Sequence, residues 1–354
     1  MKTRLVLWPT AWTRAASPTA GQSGCVDESN SRLATHKIAL GPTQLRALEV
    51  MFWLVLGSSY FVAPDKLVLI SQILIAGLFA VSLDIALGYA GILTVGHAAF
   101  FGFGAYLAGL LAKYYWAEPI TGLVVALVAC ALLGYMLAYL IVRGSELARL
   151  MITIGLCVLI YETANRLRDL TGGADGLHGI KMWPLFGLFD FDFWGRTAFV
   201  YTFSVVLALF LLVRLMLRSP FGLVLRGISN NRRRMLAIGC PVDRRLRLAY
   251  CFSAAVAGVA GALLAQTTQF VGLEMLSFNR SAEILIILVL GGTGRLYGGM
   301  LGAFIYLLVH DYFSDLDPHY WMLWVGLMLI VVVMVGRGGV LGMASKLFHI
   351  RRVN

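Results

Sequence analysis

The chain reads as a succession of apolar runs with short polar breaks between them. They cover 45–63, 67–89, 92–111, 120–141, 147–165, 198–217, 249–267, 282–297, 299–313 and 319–335. A helical crossing of the hydrocarbon core needs about 20 residues, so most of these runs predict membrane-spanning helices. The runs 282–297 and 299–313 are short and bounded by glycines, which predicts half-helices or re-entrant segments. The pattern as a whole predicts an all-α polytopic transmembrane bundle of eight to ten spans, with Gly-interrupted helices. Residues 1–44 are different: rich in Ser, Thr, Ala and Arg, with Pro9, Pro18 and Pro42 and no apolar run long enough to span. The LVLW near the start is too short for a signal-peptide core. The expected organisation is a disordered cytoplasmic extension (1–44), a transmembrane domain (45–345) and a short basic tail (346–354).

Composition agrees and narrows the class. Of 354 residues, 59% are hydrophobic and 13% charged, against about 25% charged in a soluble domain. Mean hydropathy is +0.81. A soluble enzyme, a disordered chain and a disulfide scaffold are excluded, because each needs more polar residues or more cysteines than these. The cysteines Cys25, Cys130, Cys157, Cys240 and Cys251 are scattered without CxxC or His spacing, and read as small apolar residues rather than metal ligands.

Charge then supplies direction. There are 29 basic and 18 acidic residues, a net of +11. In a membrane protein such an excess implies cytoplasmic loops and lipid headgroups, not nucleic acid. Nine arginines fall in 214–247, with Asp243 as the sole acid, so this loop is expected to be cytoplasmic. Counting outward places both termini inside as well. Loop 166–197, with Asp169, Asp175, Asp190 and Asp192, falls outside.

Four segments carry more information than hydropathy. In 88–111, Gly88, Gly91, Gly96, Gly102 and Gly104 are too many for a plain lipid-facing helix. With Thr94 and His97 they suggest a helix break at membrane depth. Irregular backbone survives there only when buried in protein or lining an aqueous path; close helix packing is the alternative role for most of these glycines. In 290–308 a similar pattern recurs. Leu87-Gly88, Gly91, Leu93 and Gly104-Ala105 align with Leu290-Gly291, Gly294, Leu296 and Gly302-Ala303, with one gap. Glycine-interrupted segments in two halves point to a repeat around a central site, and chance matching of glycines is the alternative.

The third segment, 219–265, places Leu223, Leu225, Ile228, Met235, Leu236 and Ile238 as an apolar stripe among arginines. A helix–Gly239–helix elbow is expected, broken at Gly239-Cys240-Pro241. It is either a headgroup-bound helix pair or a docking element for a soluble partner. The fourth, TGGADGLHGI at 171–180, is rich in turn signals. Its Gly172, Gly173, Asp175 and Gly176 are a default turn or a contact for an external partner.

Acidic residues within apolar runs are costly and usually face a bundle interior or a cavity. Asp84 is the clearest case, suited equally to a hydrogen bond across helices and to a substrate path. Glu162 is expected to pair with Arg166 at i,i+4, and Glu283 to be solvated at a span entrance. No phosphate loop GxxxxGK[ST] occurs, nor an HExxH, GxSxG or SxxK signature. No catalytic residue is therefore expected.

GYAGILTVGHAAFFGFGAY, LTGGADGL, RGISNNRRRMLAIG, AGVAGALLA and LVLGGTGRLYGGMLGA together resemble the LivM-type permeases of bacterial branched-chain amino acid ABC importers. The likeness runs from about residue 66 to 342, in the family's order and spacing. It implies a transport subunit of the inner membrane, paired with a LivH-like permease and seated on two cytoplasmic ATP-binding subunits. ATP and Mg would bind those partners, with no cofactor in this chain, and a periplasmic binding protein would deliver the substrate. Carried over, Asp84, Gly88, Gly91, Thr94, Gly96, His97, Gly291 and Gly294 would line or support the path. Arg226, Gly227, Asn230, Asn231, Arg232, Ala237, Ile238 and Gly239 would couple to the ATPases. Urea, short amides and small carboxylates are alternative substrates, and an ion-coupled carrier is an alternative class. The family loop commonly has a glutamate where this chain has Asn230-Asn231, and often Asn where it has Asp84.

Overall fold

The computed structural model describes residues 42–62, 64–184 and 195–316, with isolated helical positions at 323, 324, 326, 327 and 330. The expected span 319–335 and the two terminal segments thus fall largely outside the described residues. Contacts divide the chain into a unit ending at Leu56 and a second beginning at Gly57. In the first, the described part is helical and belongs to α1 (Pro42–Val62). All that follows concerns the second.

Its described residues are almost entirely helical, as the hydropathy pattern predicts. A 3-10 turn at Pro64–Lys66 leads into α2 (Leu67–Asp84), which runs on as a π-helical turn, Ile85–Tyr89. After a non-helical stretch come α3 (Ala98–Tyr114), α4 (Pro119–Arg143) and α5 (Glu146–Arg166). Next are α6 (Arg196–Arg218), α7 (Pro220–Asn230), α8 (Arg232–Ala237) and α9 (Val242–Thr268). Helices α10 (Phe278–Gly291) and α11 (Leu296–Leu316) follow. Proline at the first turn of α4 and α7 supplies a helical φ where no N–H bond is lost. Ser145, Asn231 and Ser277 cap α5, α8 and α10 by accepting from the backbone N–H of Ala148, Arg234 and Arg280.

Five described helices are long and apolar enough to cross a membrane. The pair α10–α11, bent by 111° at its glycine break, makes a sixth if it counts as one broken span. The short apolar runs 282–297 and 299–313 thus form one pair bent at its glycines, a broken span or a re-entrant segment, the two forms expected for them. At 17 residues, α3 is shorter than the expected run 92–111 because it becomes helical only at Ala98, after the break that the glycines with Thr94 and His97 suggest.

Helix α9 and the α2 segment form the centre: 78% of their apolar windows is buried, against 17% to 33% for α4, α5 and α6. The reason lies in the small residues. In lipid, apolar side chains gain little by meeting one another, so association depends on close backbone packing. On α9, Gly258 lies against Cys130 of α4 and Gly261 against the Phe101 carbonyl of α3. Gly104 of α3 lies against Gly258, and Gly134 of α4 against Ala254. Gly299 of α11 packs on the backbone of Ala80 and Val81 in α2. AGVAGALLA is therefore a packing surface for two neighbours at once, the alternative role considered for such glycines.

Candidate functional site: the paired helix breaks and the arginine-rich elbow

Non-helical backbone at membrane depth must find hydrogen-bond partners inside the protein. Between α2 and α3, Ile92 N–H donates to the Ala86 carbonyl at 2.8 Å. Val95 N–H reaches Thr153 Oγ1 of α5 at 3.5 Å, and Ala98 N–H reaches Ser281 Oγ of α10 at 2.9 Å. Three separate elements thus complete this break, and Gly96 presses on the Thr153 carbonyl, where a Cβ would not fit.

The second break lies directly against the first. Gly294 N–H, between α10 and α11, donates to Asp84 Oδ1 at the end of α2, at 2.7 Å. Gly88 sits over the same bond: a Cβ there would collide with Asp84 Oδ1 and with the Gly294 backbone. The aligned glycines also match in conformation, with φ of +69° at Gly91 and +73° at Gly294. Their shared left-handed backbone argues against chance matching, since residues with a Cβ rarely adopt it. Gly291 packs instead on the Gly298 carbonyl and holds α10 against α11. Asp84 therefore makes the cross-helix hydrogen bond that was one of its two expected roles.

Thr94 and His97 belong to a separate buried group. His97 Nε2 lies 3.2 Å from both Ser82 Oγ and Ser253 Oγ, with its ring stacked on Phe79. Thr94 is buried nearby, and the Tyr250 ring meets the His97 ring edge-on. The residues expected to act as one path thus divide into a hinge (Asp84, Gly88, Gly294) and a polar core (Thr94, His97). Ser82, Ser253 and Tyr250, which complete that core, gave no sequence signal; a serine or tyrosine within an apolar run carries no charge cost to mark it.

Before Gly239 the arginine-rich elbow holds two short helices where one was expected. The chain turns first at Asn231, whose extended backbone caps α8, and again at Gly239, with φ of +81°. The first of these turns was not expected. The predicted apolar stripe splits by side. Leu225 and Ile228 are buried inward, while Leu223, Leu236 and Ile238 are 66%, 54% and 71% exposed. Gly227 lets Met235 of α8 pack back onto α7, and Arg232 pairs with Asp243 of α9 at 2.8 Å. Asn230 and Ala237 are exposed.

The elbow touches the first break. Arg226 of α7 places its guanidinium 5.1 Å from the centre of the Tyr89 ring in the π turn. Gly91, two residues past the turn, packs on Ser229 of the same helix. A continuous set of contacts therefore runs from α7 through Tyr89 and Gly91 to Asp84, and across to Gly294.

At the far end of α9, Leu177 and Val271 exchange backbone hydrogen bonds of 2.8 and 3.3 Å. Gly172, Gly173 and Gly176 all have positive φ, and Leu177 and Ile180 are buried. These glycines shape the turn; of the four residues singled out there, Asp175 is the exposed side chain. Asp190 and Asp192 lie outside the described residues. Glu162 and Arg166 are exposed and make no ion pair with each other. Glu283, expected to be solvated, instead binds Arg280 at 2.6 Å and is half-buried. It borders a cleft of about 610 Å³ between α2, the end of α9, α10 and α11.

A helical membrane bundle with two apposed helix breaks and an amphipathic, arginine-rich elbow at one end defines a multi-pass membrane protein of the permease class. Residues 67–333 match the family model described as branched-chain amino acid transport system / permease component, and the chain belongs to that family. Among relatives, the high-affinity branched-chain amino acid transport system permease protein LivM of Escherichia coli K12 is 30% identical over 281 residues. That alignment covers 72% of this chain and 65% of the relative, so the chain spans just under two thirds of that protein. LivM of Salmonella typhimurium is 28% identical over 320 residues, covering 83% of this chain and 74% of the relative. The probable LivH of Methanocaldococcus jannaschii is 27% identical over 214 residues, covering 57% of this chain and 65% of its own. No solved structure matches the chain.

Proposed function

We propose that this chain is the LivM-type permease subunit of a binding-protein-dependent ABC importer that moves branched-chain or closely related small amino acids inward. The observation that supports this most is the elbow: Leu223, Leu236 and Ile238 project outward among arginines, while α7 is seated on the π turn. An exposed apolar stripe in a charged segment fits a protein partner better than lipid headgroups alone. The partners are a LivH-like permease, two cytoplasmic ATP-binding subunits that hold ATP and Mg, and a periplasmic binding protein meeting the loop around Asp175. The chain sits in the bacterial inner membrane, with the arginine-rich elbow and both termini cytoplasmic.

The contacts support an alternating-access cycle. Closure of the ATPases displaces α7; Arg226 and Ser229 pass the displacement to Tyr89 and Gly91, and the Asp84–Gly294 bond passes it to α10 and α11. Each nucleotide state needs only to favour one of two arrangements of this hinge. The chain itself makes and breaks no covalent bond.

The test is reconstitution of the complete complex in proteoliposomes, with leucine and urea uptake measured with and without ATP and binding protein. Leucine uptake that requires both is expected. Uptake that ignores both would overturn the importer in favour of a stand-alone carrier, and urea uptake without leucine uptake would overturn the substrate class. Replacing Leu236 and Ile238 together with Glu is expected to abolish co-purification of the ATPases while leaving the permease inserted. Normal co-purification would overturn the docking role.

A further inference from the structure

The cleft at the end of the bundle opposite the elbow takes no part in the hinge or the docking surface. Helix α9 locates it: the helix begins at Val242 beside the arginines, runs for 27 residues, about 40 Å, and contributes Leu264 and Thr268 to the cleft. Its volume of about 610 Å³ lies within the roughly 300–1,000 Å³ of small-molecule sites.

Two opposite charges sit together in its wall. Arg280 and Glu283 form an ion pair at 2.6 Å, with side chains 30% and 26% exposed. Both lie in the first turns of α10, whose N-terminal dipole adds to the guanidinium in attracting an anion. Glu274 adds an exposed carboxylate with no ion pair among the described residues. The rest of the lining is partly apolar and includes Ile75 of α2, Leu264 of α9 and Ile287 of α10. Partly desolvated charges interact several times more strongly than they would in bulk water.

We infer that this cleft binds a free zwitterionic aliphatic α-amino acid, with Arg280 receiving its carboxylate, Glu283 and Glu274 its ammonium, and the apolar part of the lining its side chain. The inference rests on the importer reading above and gives its substrate a first site within this chain. A ligand with both charges exchanges the existing ion pair for two new ones and leaves no buried charge unpaired. One lacking either charge strands Arg280 or Glu283, and stranded polar groups are what make such sites selective.

Radiolabelled leucine, displaced by leucinamide or 4-methylpentanoate, should be bound to the complete permease–ATPase complex in nanodiscs without the binding protein. Leucine is expected to bind at least about tenfold more tightly than either analogue. Arg280→Gln should remove the preference over leucinamide, Glu283→Gln should remove the preference over 4-methylpentanoate, and Arg280→Lys should retain both. Equal binding of the three ligands, or unaltered selectivity in folded Gln variants, would overturn the site. ATP-dependent leucine uptake by the same preparations keeps the tests distinct: uptake with unaltered selectivity removes the site alone, whereas no ATP-dependent uptake by the wild type removes the importer reading.

Discussion

Asp84 Oδ1 and the backbone N–H of Gly294 are joined by a 2.7 Å hydrogen bond across 210 positions of sequence, fastening one helix break to the other. The other carboxylate oxygen, Oδ2, is buried without a partner among the described residues. A single acceptor atom is therefore what the hinge requires. Asp84→Asn retains an acceptor in the same place and is expected to shift thermal stability little. Asp84→Ala leaves a partly buried N–H unpaired, at a cost toward the lower end of about 1–3 kcal/mol. Thermal unfolding of the detergent-solubilised protein checks the contrast. Equal loss in both variants would mean that charge, not acceptance, matters at this site.

Gly88 and Gly155 offer a matched pair of glycine-to-alanine substitutions. At Gly88 the added methyl meets Asp84 Oδ1, which is held by its bond to Gly294, and the Gly294 backbone itself. Overpacking of this kind costs about 1–3 kcal/mol, and Gly88→Ala should also lower leucine uptake by separating the breaks. At Gly155, on α5, nothing lies within 4 Å of the new methyl. Gly155→Ala should therefore be neutral or stabilising by up to about 1 kcal/mol, since alanine is the better helix former. Uptake and melting temperature of both variants test the comparison.

Much of this was legible in the sequence, for identifiable reasons. Hydropathy located the helices because lipid demands long apolar runs, and the α10–α11 pair was visible as two runs too short to span. The alignment of Gly91 with Gly294 survives in their matching φ because a left-handed backbone selects glycine wherever it recurs. What stayed hidden were interactions between distant positions of ordinary composition. Glu283 looked solvated because its partner, Arg280, lies just before the apolar run that contains it. The start of α9 at Val242, seven residues before its apolar run, was masked by Arg244, Arg245 and Arg247, which extend the helix beyond the hydrocarbon. The division of the elbow at Asn231 is a capping event, and one asparagine between Asn230 and three arginines does not announce it.

That cap gives a third prediction. Asn231 Oδ1 accepts from Arg234 N–H at 3.0 Å and starts α8, which is only six residues long. So short a helix has little stability of its own, and removing an N-cap costs about 0.5–2 kcal/mol. Asn231→Ala should fray α8 and raise amide hydrogen exchange across 232–237 without altering exchange in α9. Asn231→Asp should preserve protection. The neighbouring ion pair Arg232–Asp243 is partly exposed, at 37% and 56%, and such pairs contribute about 0–1 kcal/mol. Asp243→Asn should therefore leave protection of α8 nearly unchanged. A larger effect from Asp243→Asn than from Asn231→Ala would reverse the assignment.

The last prediction concerns which ring nitrogen of His97 carries a proton. Ser82 Oγ donates its hydrogen to the Phe79 carbonyl at 2.6 Å, and Ser253 Oγ donates to the Ser82 carbonyl at 2.5 Å. Each hydroxyl has one hydrogen, so neither can donate again to the histidine. The two 3.2 Å approaches to His97 Nε2 must then be made by serine oxygens acting as acceptors. Nε2 accordingly bears the proton and shares it between two serines from α2 and α9, the two most buried helices. Nδ1 is a bare lone pair with no partner among the described residues. Nitrogen NMR of protein labelled with 15N-histidine should show the Nε2–H tautomer at this site. Ser253→Ala, which removes one acceptor and frees the Ser82 carbonyl, should keep the tautomer and loosen the contact between α2 and α9. A protonated Nδ1 in the wild type would mean that at least one serine has turned its hydrogen from the backbone toward the ring.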